Sequence, residues 1–113
     1  MEERTEEFKI VPMTLDDLDD VLEVEKHCFT TPWSRFAFVN ELRNQELCHY
    51  FVAKYGSRTI AYAGMWIVLD EAHVTNIGVL PEFRGFGLGE LLMTTLIATS
   101  KKLGVTRMTL EVR

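Results

Sequence analysis

From Cys48 to Leu80 the chain reads as three apolar stretches, "CHYFVAKY", "TIAYAGMWIVL" and "AHVTNIGVL", parted only by "GSR" and "DE". Their Val, Ile, Tyr, Phe and Trp suit strands, and connections of two or three residues leave no room for a parallel crossover. The stretch therefore predicts an antiparallel three-stranded meander, and everything else in the chain must pack around it.

Upstream, Phe8, Ile10 and Pro12 fit a short first strand. Thr14 followed by Leu15, Asp16 and Asp17 looks like a helix start, with acidic residues in the first turn. Leu18, Val21, Leu22, Glu25 and Cys28 then recur at helical spacing, which predicts a helix from about Leu15 to His27. Pro32 in "TTPWS" breaks it, and Ser34 can cap a second short helix through Phe38, Glu41 and Leu42. Downstream, Leu91, Leu92, Thr95, Leu96 and Thr99 repeat on one helical face, Gly104 sits where a helix-ending glycine belongs, and "RMTLEVR" reads as a strand. That strand-helix-strand unit should be a right-handed parallel crossover. The fold class is α+β with a mixed sheet: an antiparallel meander followed by one parallel strand. The 113 residues suit one domain spanning 1–113, without repeats or linkers.

The formal net charge is −5 and the pI near 5.1, which argues against a nucleic-acid binder because phosphate neutralisation needs clustered Lys and Arg. The opening "MEERTEEF" has no apolar core of a signal peptide, and no run approaches the ~20 apolar residues of a membrane span. A soluble, cytoplasmic protein with no membrane partner is expected. Cys28 and Cys48 belong to no CxxC or Cys/His cluster, so neither zinc nor a disulfide framework is indicated and no metal is assigned.

The candidate site is "VLPEFRGFGLGELL". A strand running into glycines and then a helix presents unpaired N–H groups at the positive end of a helix dipole, which suits a phosphate or pyrophosphate. Gly85, Gly87 and Gly89 also keep side chains away from that backbone. No Lys follows the glycines, so this is not a Walker loop. A dinucleotide fingerprint fails in frame: counted from Gly85 its last glycine falls on Glu90, and from Gly87 on Leu92. The remaining pattern, R/Q-x-x-G-x-G/A, is met by Arg84, Gly85, Phe86, Gly87, Leu88 and Gly89.

That pattern resembles the coenzyme A loop of the Gcn5-related N-acetyltransferase superfamily. Together with "PWS", "DEA", "NIGV" and "LEVR", it is similar to the ribosomal-protein-alanine N-acetyltransferases, from about Phe8 to Arg113. The resemblance implies an acyl-CoA N-acyltransferase fold, acetyl-CoA as cosubstrate, and a protein N-terminus as acceptor, a ribosomal protein's N-terminal alanine being the candidate. It implies that Ile77, Gly78 and Val79 line the pantetheine arm, with N–H groups near Gly78 and Val79 meeting the oxyanion. Gly85 through Glu90 would carry the pyrophosphate beside Arg84. Glu111 in "LEVR" matches the family's base, and an ordinary solvated strand carboxylate is the plainer reading of its spacing. His73 is the runner-up base, or a half-exposed histidine after a turn. Trp33 and Trp66 are candidates for a peptide groove, with Glu71 holding the amine's charge; core packing and a turn are the plainer roles. The family's general acid, a tyrosine, lies in a segment beyond the last strand read here, so the chain is expected to be truncated at its C-terminus. Tyr50, Tyr55 and Tyr62 read as sheet aromatics. The edge of "RMTLEVR" is accordingly expected to recruit a second chain by self-association.

Overall fold

The computed structural model describes residues 7–111, so "MEERTE" and the last two residues of "RMTLEVR" lie outside the described part. Strands β1 (Phe8–Pro12), β2 (Cys48–Tyr55), β3 (Arg58–Val68), β4 (Glu71–Val79) and β5 (Arg107–Leu110) form one sheet in chain order. The first three pairings are antiparallel and β4–β5 is parallel. The mixed sheet is as the connections demanded.

Helices α1 (Leu18–Cys28), α2 (Arg35–Arg43) and α3 (Leu88–Lys102) complete the domain. The expected start at Leu15 is a 3-10 turn, Leu15–Asp17, which the Asp17 carboxylate closes by accepting the Thr14 N–H at 2.8 Å. Ser34 caps α2 through the Ala37 N–H. At the other end of the chain, the Val105 N–H reaches the Ser100 carbonyl and the Gly104 N–H that of Lys101, with Gly104 at φ +83°. This is the paired C-terminal motif that a left-handed glycine permits.

Seven consecutive residues of β3, Thr59 to Met65, are buried, so both faces of the sheet are covered at its centre. Both α1 and α3 pack on β3 and β4. On α3 the buried residues are Leu88, Leu92, Leu96 and Ser100, four apart. Leu92 and Leu96 of the expected stripe are buried, but the row runs on through Leu88 and Ser100 and leaves Leu91 38% exposed, because Leu88, counted with the loop, starts the helix and sets the row. Among the described residues no helix is long and apolar enough to cross a membrane.

Candidate active site

Strand β4 carries the site, and its bulge decides which groups face where. Met65 pairs with Val74 but Gly64 pairs with Asn76, leaving Thr75 as an extra residue. Before the bulge, His73 lies opposite Trp66, whose indole reaches Glu41 on α2, so His73 is on the α1–α2 face. Beyond it, a Cβ on Gly78 would lie 3.2 Å from Cys28 Sγ and 3.3 Å from Val24 Cγ1, both on α1. Odd-numbered side chains face α1–α2 before Thr75, and even-numbered ones after it. Gly78 therefore makes room for α1.

Backbone directions change with the same step. The Leu80 N–H donates to Ile60 O at 3.0 Å, which makes Val79 and Ala61 a non-hydrogen-bonded pair and directs the amide groups of Gly78 to β3. Those of Ile77 and Val79 consequently point to the outer edge. The Gly78 N–H is thus committed to β3, and of the N–H groups expected near the oxyanion that of Val79 faces outward, as does that of Ile77. β5 covers this edge only from Glu71 to Val74, where Val74 O also accepts the Glu111 N–H at 2.9 Å. Among the described residues no strand pairs with the outer edge from Asn76 to Val79. The Val79 carbonyl is held by the protein itself, by Arg84 Nε at 2.9 Å and Cys28 Sγ at 3.3 Å. Arg84 thus braces the end of β4.

At one end of this edge stands the glycine loop. Gly85 and Gly87 adopt φ +89° and +80°, conformations that side chains strain, and Gly87 is the N-cap of α3. A Cβ on Gly85, Gly87 or Gly89 would meet nothing within 4 Å, so this backbone is open to an incoming group. The first amides of α3, on Leu88, Gly89 and Glu90, have no acceptor inside the helix. They join the positive helix end in a cradle suited to phosphate, while Phe86 turns inward to lie 6.0 Å from Phe8.

At the other end the two candidate bases come together. His73 Nδ1 lies 3.9 Å from Glu111 Oε1 and 2.9 Å from Thr109 Oγ1, because β5 pairs His73 with Thr109 and puts Glu111 two residues further on the same face. Glu111 is 67% exposed and reachable by an acceptor. Glu71 is already engaged, by Arg107 at 2.7 Å and His73 Nε2 at 3.4 Å, so it orients the imidazole and is not free to hold an amine. About 3.3 Å per residue separates Val74, beside Glu111, from Val79 by about 16 Å, an extended edge between acid and cradle.

Trp33 and Trp66 stand towards opposite ends of α2. Trp33 packs on Phe38 at 5.3 Å and donates its backbone N–H to Glu25 Oε2 at 2.6 Å; Trp66 donates its indole N–H to Glu41 Oε1 at 2.7 Å. Trp33 serves the α1–α2 junction, and Trp66 is the one beside His73. Between them runs a polar network that the sequence reading left out. Tyr50 Oη donates to Glu41 at 2.7 Å, Asn76 Nδ2 to Tyr62 Oη at 3.2 Å, and Tyr62 Oη to the fully buried Glu25. Burial, and then Glu41 beside them, pushes the Tyr50 hydroxyl far up and the Cys48 thiol up to about 12. The available signal was Glu25 itself, a carboxylate within an apolar helical stripe.

The bulged strand with one open edge, ending at a glycine loop and helix N-terminus, defines the class: an acyl-CoA N-acyltransferase fold. The acetyltransferase (GNAT) family profile matches residues 18–113, and the chain belongs to that family. Within it, the chain is 41% identical over 101 residues to a Bacillus subtilis protein provisionally named [ribosomal protein bS18]-alanine N-acetyltransferase, covering 89% of this chain and 67% of that one. The crystal structure of the ribosomal-protein-S18-alanine N-acetyltransferase from Escherichia coli superposes with TM-score 0.81 at 30% identity, over 91% of this chain and 65% of that one. The PaiA N-acetyltransferase of Thermoplasma acidophilum, in complex with coenzyme A, shares the fold (TM-score 0.83, 19% identity, 91% and 77% covered). The chain thus spans about two thirds of the length of such relatives.

Proposed function

We propose that this protein transfers acetyl from acetyl-CoA to the N-terminal α-amine of a protein, with the alanine of ribosomal protein bS18 as acceptor and the cytoplasm as its place of action. The observation that carries the reading is the open edge of β4, with the phosphate cradle at one end and the Glu111–His73 pair at the other. Ile77 and Val79 would pair with the pantetheine amides as a neighbouring strand would, and the amides from Gly85 to Glu90 would hold the pyrophosphate.

An α-amino group titrates near ~7.7 to 8.0 and attacks only when neutral, so the base has a small task. Glu111, directly or through water, takes the amine proton as nitrogen adds to the acetyl carbonyl. The N–H of Ile77 or Val79 meets the oxyanion, and collapse breaks the C–S bond and releases the thiolate, which must be protonated. His73, held by Glu71 and Thr109, orients the Glu111 carboxylate.

The test is acetyl transfer to an alanine-ending peptide. Glu111→Gln should lower kcat by about 10²-fold or more, the usual contribution of a positioned base, while coenzyme A affinity stays within about twofold. Full activity in that variant would remove Glu111 from the role.

A further inference from the structure

Trp66 is 36% exposed, on the face shared with His73, while its indole N–H is fixed to a carboxylate on another element. Val68, two residues on and 47% exposed, continues the same face. Glu71, His73 and Glu111 border it. A cationic or neutral amine would be drawn to the exposed Glu111 carboxylate on that border, and whatever side chain follows the amine would then meet the indole. Both oxygen-bound groups of Glu41 matter here, because one atom, Oε1, accepts Trp66 Nε1 and Tyr50 Oη, each at 2.7 Å. Tyr50 is itself held, its ring lying where a Gly64 Cβ would be, 2.1 Å from its Cε2. Glu41, carried on α2, orients the indole directly, while the Tyr50 bond to the same oxygen ties α2 to the sheet and bears on stability.

Resting on the acetyltransferase reading, we propose that the Trp66 face is the subsite for the first side chain of the acceptor, and that Glu41 is its positioning residue. The acceptor is a peptide with a small uncharged first residue: an acidic one would face Glu71 and Glu111. Glu41 touches neither amine nor cosubstrate; it acts by keeping the indole in one orientation, and without it only a fraction of molecules would present the wall, raising the apparent constant for the acceptor by the inverse of that fraction.

The experiment uses the whole chain, an alanine-ending peptide, steady-state transfer, and calorimetric peptide affinity in the presence of coenzyme A. Trp66→Phe and Glu41→Leu should raise both the peptide KM and its Kd by about tenfold or more, with the acetyl-CoA KM within about twofold. Glu41→Gln, which keeps an accepting oxygen, should restore both to near wild type. Tyr50→Phe removes the other hydrogen bond to the same oxygen, and should lower stability without moving the peptide constants. Should Glu41→Leu fail to fold, the contrast between Trp66→Phe and Tyr50→Phe decides. Unchanged peptide constants in Trp66→Phe, equal shifts for acetyl-CoA, or the same shift in Tyr50→Phe would each overturn the subsite. A wild-type chain that binds peptide without transferring acetyl sinks the enzymatic reading and leaves the subsite to the affinities; one that binds coenzyme A but no peptide overturns the subsite alone.

Discussion

Replacing Gly89 by alanine separates what the glycine loop does for the fold from what it does for a ligand. Gly89 lies in the first turn of α3 at a φ that any residue adopts, and a Cβ there would meet no atom within 4 Å. The free protein should lose nothing. Alanine is better than glycine in a helix by about 0.8–1.0 kcal/mol in the interior and by less in the first turn, so a small gain in stability is expected. The new methyl, however, tilts towards the helix N-terminus, as every helical Cβ does, and therefore towards the amides proposed to hold pyrophosphate. Displacing one charge-assisted hydrogen bond costs about 1.5–3 kcal/mol, which corresponds to a loss of about 10-fold to 150-fold in coenzyme A affinity. Gly87→Ala is the contrast: at φ +80° it adds about 1–2 kcal/mol of strain, so both stability and affinity should fall. Urea melts and coenzyme A calorimetry on the two variants measure each quantity separately. A Gly89→Ala protein that is as stable as the parent and binds coenzyme A within twofold would refute the assignment of these amides.

Gly64→Ala should be among the most damaging small changes, because its Cβ would fall about 1.3 Å inside ordinary contact with the Tyr50 ring. Overpacking of about 1–3 kcal/mol plus the strained Tyr50–Glu41 hydrogen bond predicts a loss of about 2–5 kcal/mol in denaturant melts; the cost should vanish in a Tyr50→Leu background, and an equal cost in both backgrounds would contradict this contact. Acid should act through Asp17: burial raises its pKa, but Lys54, the Thr14 N–H and Thr59 outweigh that and hold it below the usual carboxylate value. Its contribution is fully present above that usual value and is lost as pH falls through the lowered one, so urea midpoints should drop below pH 4, and more steeply in the parent than in Asp17→Asn; parallel slopes would count against the pairing.

The parts of the fold that were legible in the sequence are those written in local chemistry. Two-residue and three-residue connections announced the hairpins, Ser34 its cap, Gly104 its left-handed turn, and Arg84 to Gly89 the loop. The bulge at Thr75 left no such mark, since one extra residue in a strand changes neither composition nor apparent pattern. That is why nothing local in the sequence shows that Gly78 makes room for α1 or that its N–H is turned to β3. Likewise Glu111 and His73 were alternatives on paper and neighbours in space, because the parallel register that joins them is set by the α3 crossover and not by either residue's surroundings in the chain. Glu25 and Glu41 read only as helix positions: a lone carboxylate in a helix looks solvated until the tyrosines that meet it across the fold are known.

The extra residue at Thr75 works like a one-letter shift in a reading frame. Upstream of it the strand turns the His73 side chain to the α1–α2 face; downstream it turns the backbone of Ile77 and Val79 to the open edge, and neither arrangement needs the other's parity. Straightening β4 so that Thr75 took a regular place in the ladder would leave its composition unchanged, yet would turn Gly78 away from α1 and exchange which amides look outward. Grafting this site onto another sheet would therefore mean carrying the irregularity with it, for the residues on either side make sense together only because they are out of step.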